Sequence, residues 1–137
     1  MTSLECAKKK LEGNTVCLVK GESLFISQKR GVMPLIEFIE SNVDFKDYSV
    51  ADKIVGKAAA FLYAYLGVKE VYAEVLSKEA IPVFKKYNIS FEYNILTDYI
   101  INRKGIGLCP MEEAVMNCSS KEEAIFAIYN RYKTLQN

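Results

Sequence analysis

Between Val68 and Leu96 the chain reads strand, helix, strand, and this stretch restricts the fold more than any other. Val68 to Leu76 (VKEVYAEVL) and Ile89 to Leu96 (ISFEYNIL) carry the β-branched and aromatic residues of strands. Glu79 to Tyr87 lies between them with helical spacing, and Pro82 suits its first turn. Two strands joined in this way pair parallel, through a right-handed crossover. Upstream, Thr15 to Lys20 and Ser23 to Gln28 flank a tight turn at Gly21-Glu22 and read as an antiparallel hairpin. Parallel and antiparallel strands together predict a mixed sheet with helices on both faces, an α/β three-layer α-β-α sandwich.

The other segments supply those helices. Leu4, Ala7 and Leu11 share a helical face that Gly13 ends. A short helix is expected from Pro34 to Glu40, with Leu35, Ile36 and Ile39 inward. Ser49 is read as the cap of a largely buried helix that runs to Leu66 and stops at Gly67. Within it Gly56, Ala60 and Ala64 are small and four apart, which permits close approach by a neighbour. Pro110 to Asn117 is a further short helix, and Ser119 or Ser120 caps the last one, with Glu122 and Glu123 at capping-box distance.

A chain of 137 residues fits one domain, residues 1–137, that needs neither disulfide nor metal to fold. Its net charge of +1 gives no bulk attraction to nucleic acid or to an anionic membrane. No apolar run approaches the roughly 20 residues of a membrane span. The first residues, MTSLECAKKKLEG, lack the apolar core of a secretory signal, so a cytoplasmic protein is expected. The sequence has no histidine, which removes serine–histidine and cysteine–histidine catalysis and most zinc sites. Cys6, Cys17, Cys109 and Cys118 form no CxxC pair and read as separate reduced thiols. No cofactor is expected.

Two polar clusters interrupt apolar surroundings. The first is SVADKIVGKAAA, Ser49 to Ala60, with Asp52, Lys53 and Lys57. Asp52, three residues after Ser49, either completes a weakened capping box or serves as a general base or ligand acceptor. Lys53 and Lys57, four apart, either present solvated heads or bind an anion. Lys57 is the sharper case because Gly56 and three alanines surround it in sequence; there it either binds an anion or acts as a base with a lowered pKa. The second cluster is NRKGIGLCPME, Asn102 to Glu112. Cys109 stands before Pro110 at a helix start, where a thiol either packs or becomes nucleophilic. Asn102 and Arg103 can bind a carboxylate or phosphate, and Glu112 lies close to Cys109 in sequence. Gly105 and Gly107 either turn the chain or admit a ligand to the backbone.

The stretches VKG (Val19 to Gly21), RGVMPLIEFIE (Arg30 to Glu40), ADKIVGKAAAFLY (Ala51 to Tyr63) and YIINRKGIGLCPMEEAV (Tyr99 to Val115) resemble a small prokaryotic family. That family is the domain of unknown function numbered eighteen ninety-three. The element order resembles the cytidine-deaminase-like fold. The resemblance implies that fold without an established activity. Zinc deaminases of that fold carry His-Ala-Glu or Cys-Ala-Glu at one helix start and Pro-Cys-x-x-Cys at the start of the helix after the next strand. The first motif is expected on Val50-Ala51-Asp52 and the second near Leu76 to Ala80, with every zinc ligand missing. The resemblance also implies that Asp52, Lys53 and Lys57 meet Arg103, Cys109 and Glu112 in one pocket. The leading expectation is a zinc-free domain that binds a small anionic metabolite or nucleotide, with Asp52, Lys57 and Cys109 as its polar core. The alternatives are a protein-interaction module with a vestigial pocket, self-associating through apolar faces, and a thiol enzyme built on Cys109.

Overall fold

The computed structural model describes residues 1–101, 105 and 107–136. Helix α1 (Ser3–Lys10) opens with a capping box in which Thr2 and Glu5 exchange side-chain and backbone hydrogen bonds. Strands β1 (Val16–Lys20) and β2 (Ser23–Ser27) form the expected hairpin, followed by helix α2 (Met33–Glu40) with Pro34 in its first turn. Strand β3 (Ser49–Val55), helix α3 (Lys57–Leu66), strand β4 (Glu70–Ser77), a single 3-10 turn (Lys78–Ala80), helix α4 (Ile81–Lys86) and strand β5 (Ser90–Thr97) follow. Helices α5 (Pro110–Val115) and α6 (Lys121–Gln136) complete the order.

The five strands lie in the order β2-β1-β3-β4-β5. β1 runs antiparallel to both β2 and β3, and β3, β4 and β5 are mutually parallel. The parallel β4–α4–β5 unit is the one the sequence predicts. Helix α1 covers one face, where Ala7 and Leu11 pack on Cys17, Val19 and Ala51. The main core fills the other face, beneath α3, whose residues Ala58 to Ala64 are all buried. The result is the expected three-layer α-β-α sandwich with a mixed sheet.

One element differs. The segment Ser49 to Val55 is a central strand, and no helix starts at Ser49. Ser49 Oγ donates to Glu70 Oε2 at 2.6 Å instead of capping a helix. This strand lies beneath α1 on one face and α3 on the other, so its residues lose the polar–apolar alternation of a half-exposed strand. Here Ser49 to Asp52 are all buried. Run on into the alanines of α3, this reads as one long helical stripe. The break is Gly56, with extended φ −106° and ψ −169°. Gly67, with φ +77°, ends α3 in the left-handed conformation that favours glycine, as its position predicts.

A candidate cleft at the carboxyl ends of the parallel strands

Each parallel strand releases one side chain into a common cleft two residues beyond its last residue. β3 ends at Val55 and supplies Lys57; β4 ends at Ser77 and supplies Glu79; β5 ends at Thr97 and supplies Tyr99. The cleft holds about 710 Å³, within the size range of small-molecule pockets. Ile100, Leu108 and Met116 give it apolar walls. Gly105 and Gly107 lie along it as well. Gly105 has φ +74° with open space where a Cβ would stand, so a turn, not tight packing, requires that glycine. The connection is closed by a bridge from Ile101 to Leu108 and by the Cys109 amide on the Ile100 carbonyl.

Glu112 joins α5 to this site. Its Oε1 accepts the Lys57 N–H and its Oε2 the Ala58 N–H, both at 2.7 Å. The first amides of a helix have no partner within it, so Glu112 caps α3 with a full carboxylate from another helix. Lys57 returns the contact, its Nζ donating to the Met116 carbonyl at the end of α5 at 2.9 Å. Each helix thus satisfies the other's terminus. Glu112 is only 9% exposed. Burial pushes its carboxyl above the ordinary range, the two amides pull it back, and the nearby Glu79 pushes it further up.

Asp52, Lys53 and Cys109 are not among the residues that line this cleft. Asp52 sits mid-strand in β3, 8% exposed. Its Oδ2 accepts the Tyr63 hydroxyl at 2.5 Å and its Oδ1 the Ile54 amide at 3.1 Å. Burial raises its pKa to about 7 against those hydrogen bonds. Neither capping-box reading nor shared pocket holds for it, because both rest on a helix start that is a strand. Lys53 likewise shares no helical face with Lys57; its amide donates to the Thr15 carbonyl. Cys109 stands before α5 without a side-chain capping bond and packs against the main core. Asn102 and Arg103 lie outside the described residues. Among the described residues, Lys57 and Glu112 are therefore the predicted pair brought together. Sequence reasoning misses Glu79 and Tyr99 as site residues, since their only signal is position just after a strand.

Shifting the strand also shifts the deaminase motifs. Val50-Ala51-Asp52 is inside β3, so it cannot open a helix. The helix starts that topology offers are Gly31 to Pro34 for α2, Gly56 to Ala59 for α3 and Ser77 to Ile81 before α4. None contains histidine or cysteine. Among the described residues no group of three or more His, Cys, Asp or Glu can hold a metal ion. The residues do not fit the zinc of a deaminase. Among the described residues no helix is long and apolar enough to cross a membrane.

The fold is similar to that of dCMP deaminase from the cyanophage S-TIM5, with a TM-score of 0.50 at 16% identity over 65% of this chain and 94% of that one. A DUF1893 family protein from Thermotoga maritima superposes with a TM-score of 0.83 at 28% identity, over 90% of this chain and 85% of that one. No curated protein matches the sequence. The match that spans residues 6–132, nearly every element described above, is to a domain of unknown function, and the chain belongs to that family, DUF1893.

Proposed function

We propose that the chain is a small-molecule-binding domain on a deaminase-like fold, and that its ligand carries an anionic group bound by Lys57. The observation that carries this reading is the convergence of Lys57, Glu79 and Tyr99 from three successive parallel strands. In open α/β sheets, ligands bind in the crevice outside the carboxyl ends of the strands. The first two α3 amides are already taken by the Glu112 carboxylate, which also places negative charge at that terminus, so a ligand anion is left to the Lys57 ammonium. Among the described residues that ammonium makes one hydrogen bond, to a neutral carbonyl, and keeps two donors.

A thermal-shift screen against nucleotides, phosphorylated metabolites and carboxylates, repeated with Lys57→Met, tests this. Binding to the folded state raises the apparent stability. A stabilising compound whose effect is lost in Lys57→Met supports the site. A compound that stabilises both proteins equally places its site elsewhere.

A second reading, self-association, rests on Ile54, Val75 and Ile95, which are in register across β3, β4 and β5. Ile54 and Ile95 are each more than half exposed. A row of branched apolar side chains on a sheet favours a protein surface over water. Light scattering of the parent beside Ile95→Lys separates the cases: a dimer lost in the variant supports this reading, and a monomeric parent removes it.

A further inference from the structure

We infer that the ligand of this cleft is a small zwitterion, its anion on Lys57, its ammonium on Glu79 and its apolar body against Ile100, Leu108 and Met116. The inference rests on the cleft reading above and narrows it. Lys57 and Glu79 bear opposite charges and line one cavity, yet among the described residues they make no ion pair with each other or with any third group. Both also line a smaller adjoining cavity of about 180 Å³, so they stand where the two spaces meet. Opposite charges that line one cavity without pairing are a template for a dipolar molecule. Each charge of such a ligand meets its complement, and the apolar part displaces water from the walls.

The neighbouring carboxylate favours the same answer. Glu112 is fixed on two amides and faces Glu79 closely enough for like-charge repulsion. An ammonium beside Glu79 relieves that repulsion. A multiply charged anion does the opposite, since among the described lining residues it meets two carboxylates and one ammonium. Glu79 is exposed and among the described residues its side chain bonds to no other group, so Glu79→Gln is expected to leave the fold intact.

Calorimetric titration with L-phenylalanine, L-leucine and 6-aminohexanoate tests the inference over short and long charge separations. The half-molecules 3-phenylpropanoate and 2-phenylethylamine serve as controls, and inorganic phosphate and AMP as anions without an ammonium. At least one zwitterion is expected to bind about tenfold or more tightly than either half-molecule, the value of one hydrogen bond to a charged group. Glu79→Gln is expected to remove that advantage while binding 3-phenylpropanoate no more weakly than the parent does, and Lys57→Met to weaken both. If 3-phenylpropanoate, phosphate or AMP binds as well as every zwitterion, or if Glu79→Gln changes nothing, the zwitterion is overturned and the anion reading stands. If no compound binds the folded parent, both fail.

Discussion

Gly56 and Glu112 compete for one volume: a Cβ built on Gly56 stands 2.1 Å from Glu112 Oε1 and 2.5 Å from its carboxyl carbon. The glycine is there for space and not for backbone freedom, because its φ of −106° suits any residue. Gly56→Ala is therefore expected to expel the carboxylate from the α3 terminus. Part of the cost must vanish when the carboxylate is already gone. A double-mutant cycle of Gly56→Ala with Glu112→Ala, read by urea denaturation, is expected to show a coupling of about 1–3 kcal/mol. Ile100 Cγ1 at 2.8 Å accounts for the remainder. Additive costs would mean that Glu112 is not what Gly56 accommodates.

Glu112→Ala alone removes the partner of two amides, one of them the buried Ala58 N–H. Leaving a buried donor unsatisfied costs about 1–3 kcal/mol, and the loss of negative charge at a helix start adds to it. Glu112→Gln keeps one acceptor oxygen and turns an NH2 toward the second amide. The expected order of stability is parent, Gln, Ala. A Gln variant as stable as the parent would show that the charge contributes nothing.

The hairpin, the β4–α4–β5 crossover, the Gly67 stop and the Ser120–Glu123 cap are all readable from the sequence, because each rests on local chemistry. Turn glycines, prolines in first turns and capping hydroxyls act within a few residues. β3 is not readable, for the opposite reason. Its character comes from β1 on one side and β4 on the other, neither near it in sequence. A buried strand and a buried helix share the same composition, and periodicity does not separate them. The β-branched Val50, Ile54 and Val55 ahead of Gly56, against the run Ala58-Ala59-Ala60 after it, are the signal that distinguishes the two. That one misread element carries Asp52 and Lys53 into a site they do not enter. Lys57 lines the cleft although its helix begins at Lys57 and not at Ser49, and its meeting with Glu112 is expected only through resemblance, since 55 residues separate the two.

Lys57 holds α5 only lightly. Its one side-chain hydrogen bond is exposed, and the capping contact comes from its backbone, which any residue supplies. Lys57→Met is expected to lower stability by under about 1 kcal/mol, a few degrees or less in Tm for a chain of this length. The variant then serves as a folded control in binding experiments. A loss several times larger would identify Lys57 as a structural strap.

Asp52 and Tyr63 make stability fall as pH rises. Burial holds the folded Asp52 pKa at about 7, above its unfolded value of 3.8. Between those values the folded state binds the extra proton, so the stabilisation is full below the unfolded pKa and is lost as pH climbs through the folded one. One proton gives a slope of at most about 1.4 kcal/mol per pH unit. Glu112, raised by burial as well, adds a decline of the same sign above its ordinary value. Asp52→Asn removes the charge that burial opposes. Its side-chain oxygen still accepts the Ile54 amide, and its NH2 can donate to the Tyr63 oxygen. The expected result is a shallower decline in the Asp52→Asn variant from about pH 5 to 8, measured by urea denaturation at each pH, so that the gap between variant and parent moves in the variant's favour as pH rises. Parallel curves for the two proteins would show that Asp52 is ionised across the whole range, with the Tyr63 hydroxyl and the Ile54 amide outweighing the cost of burial.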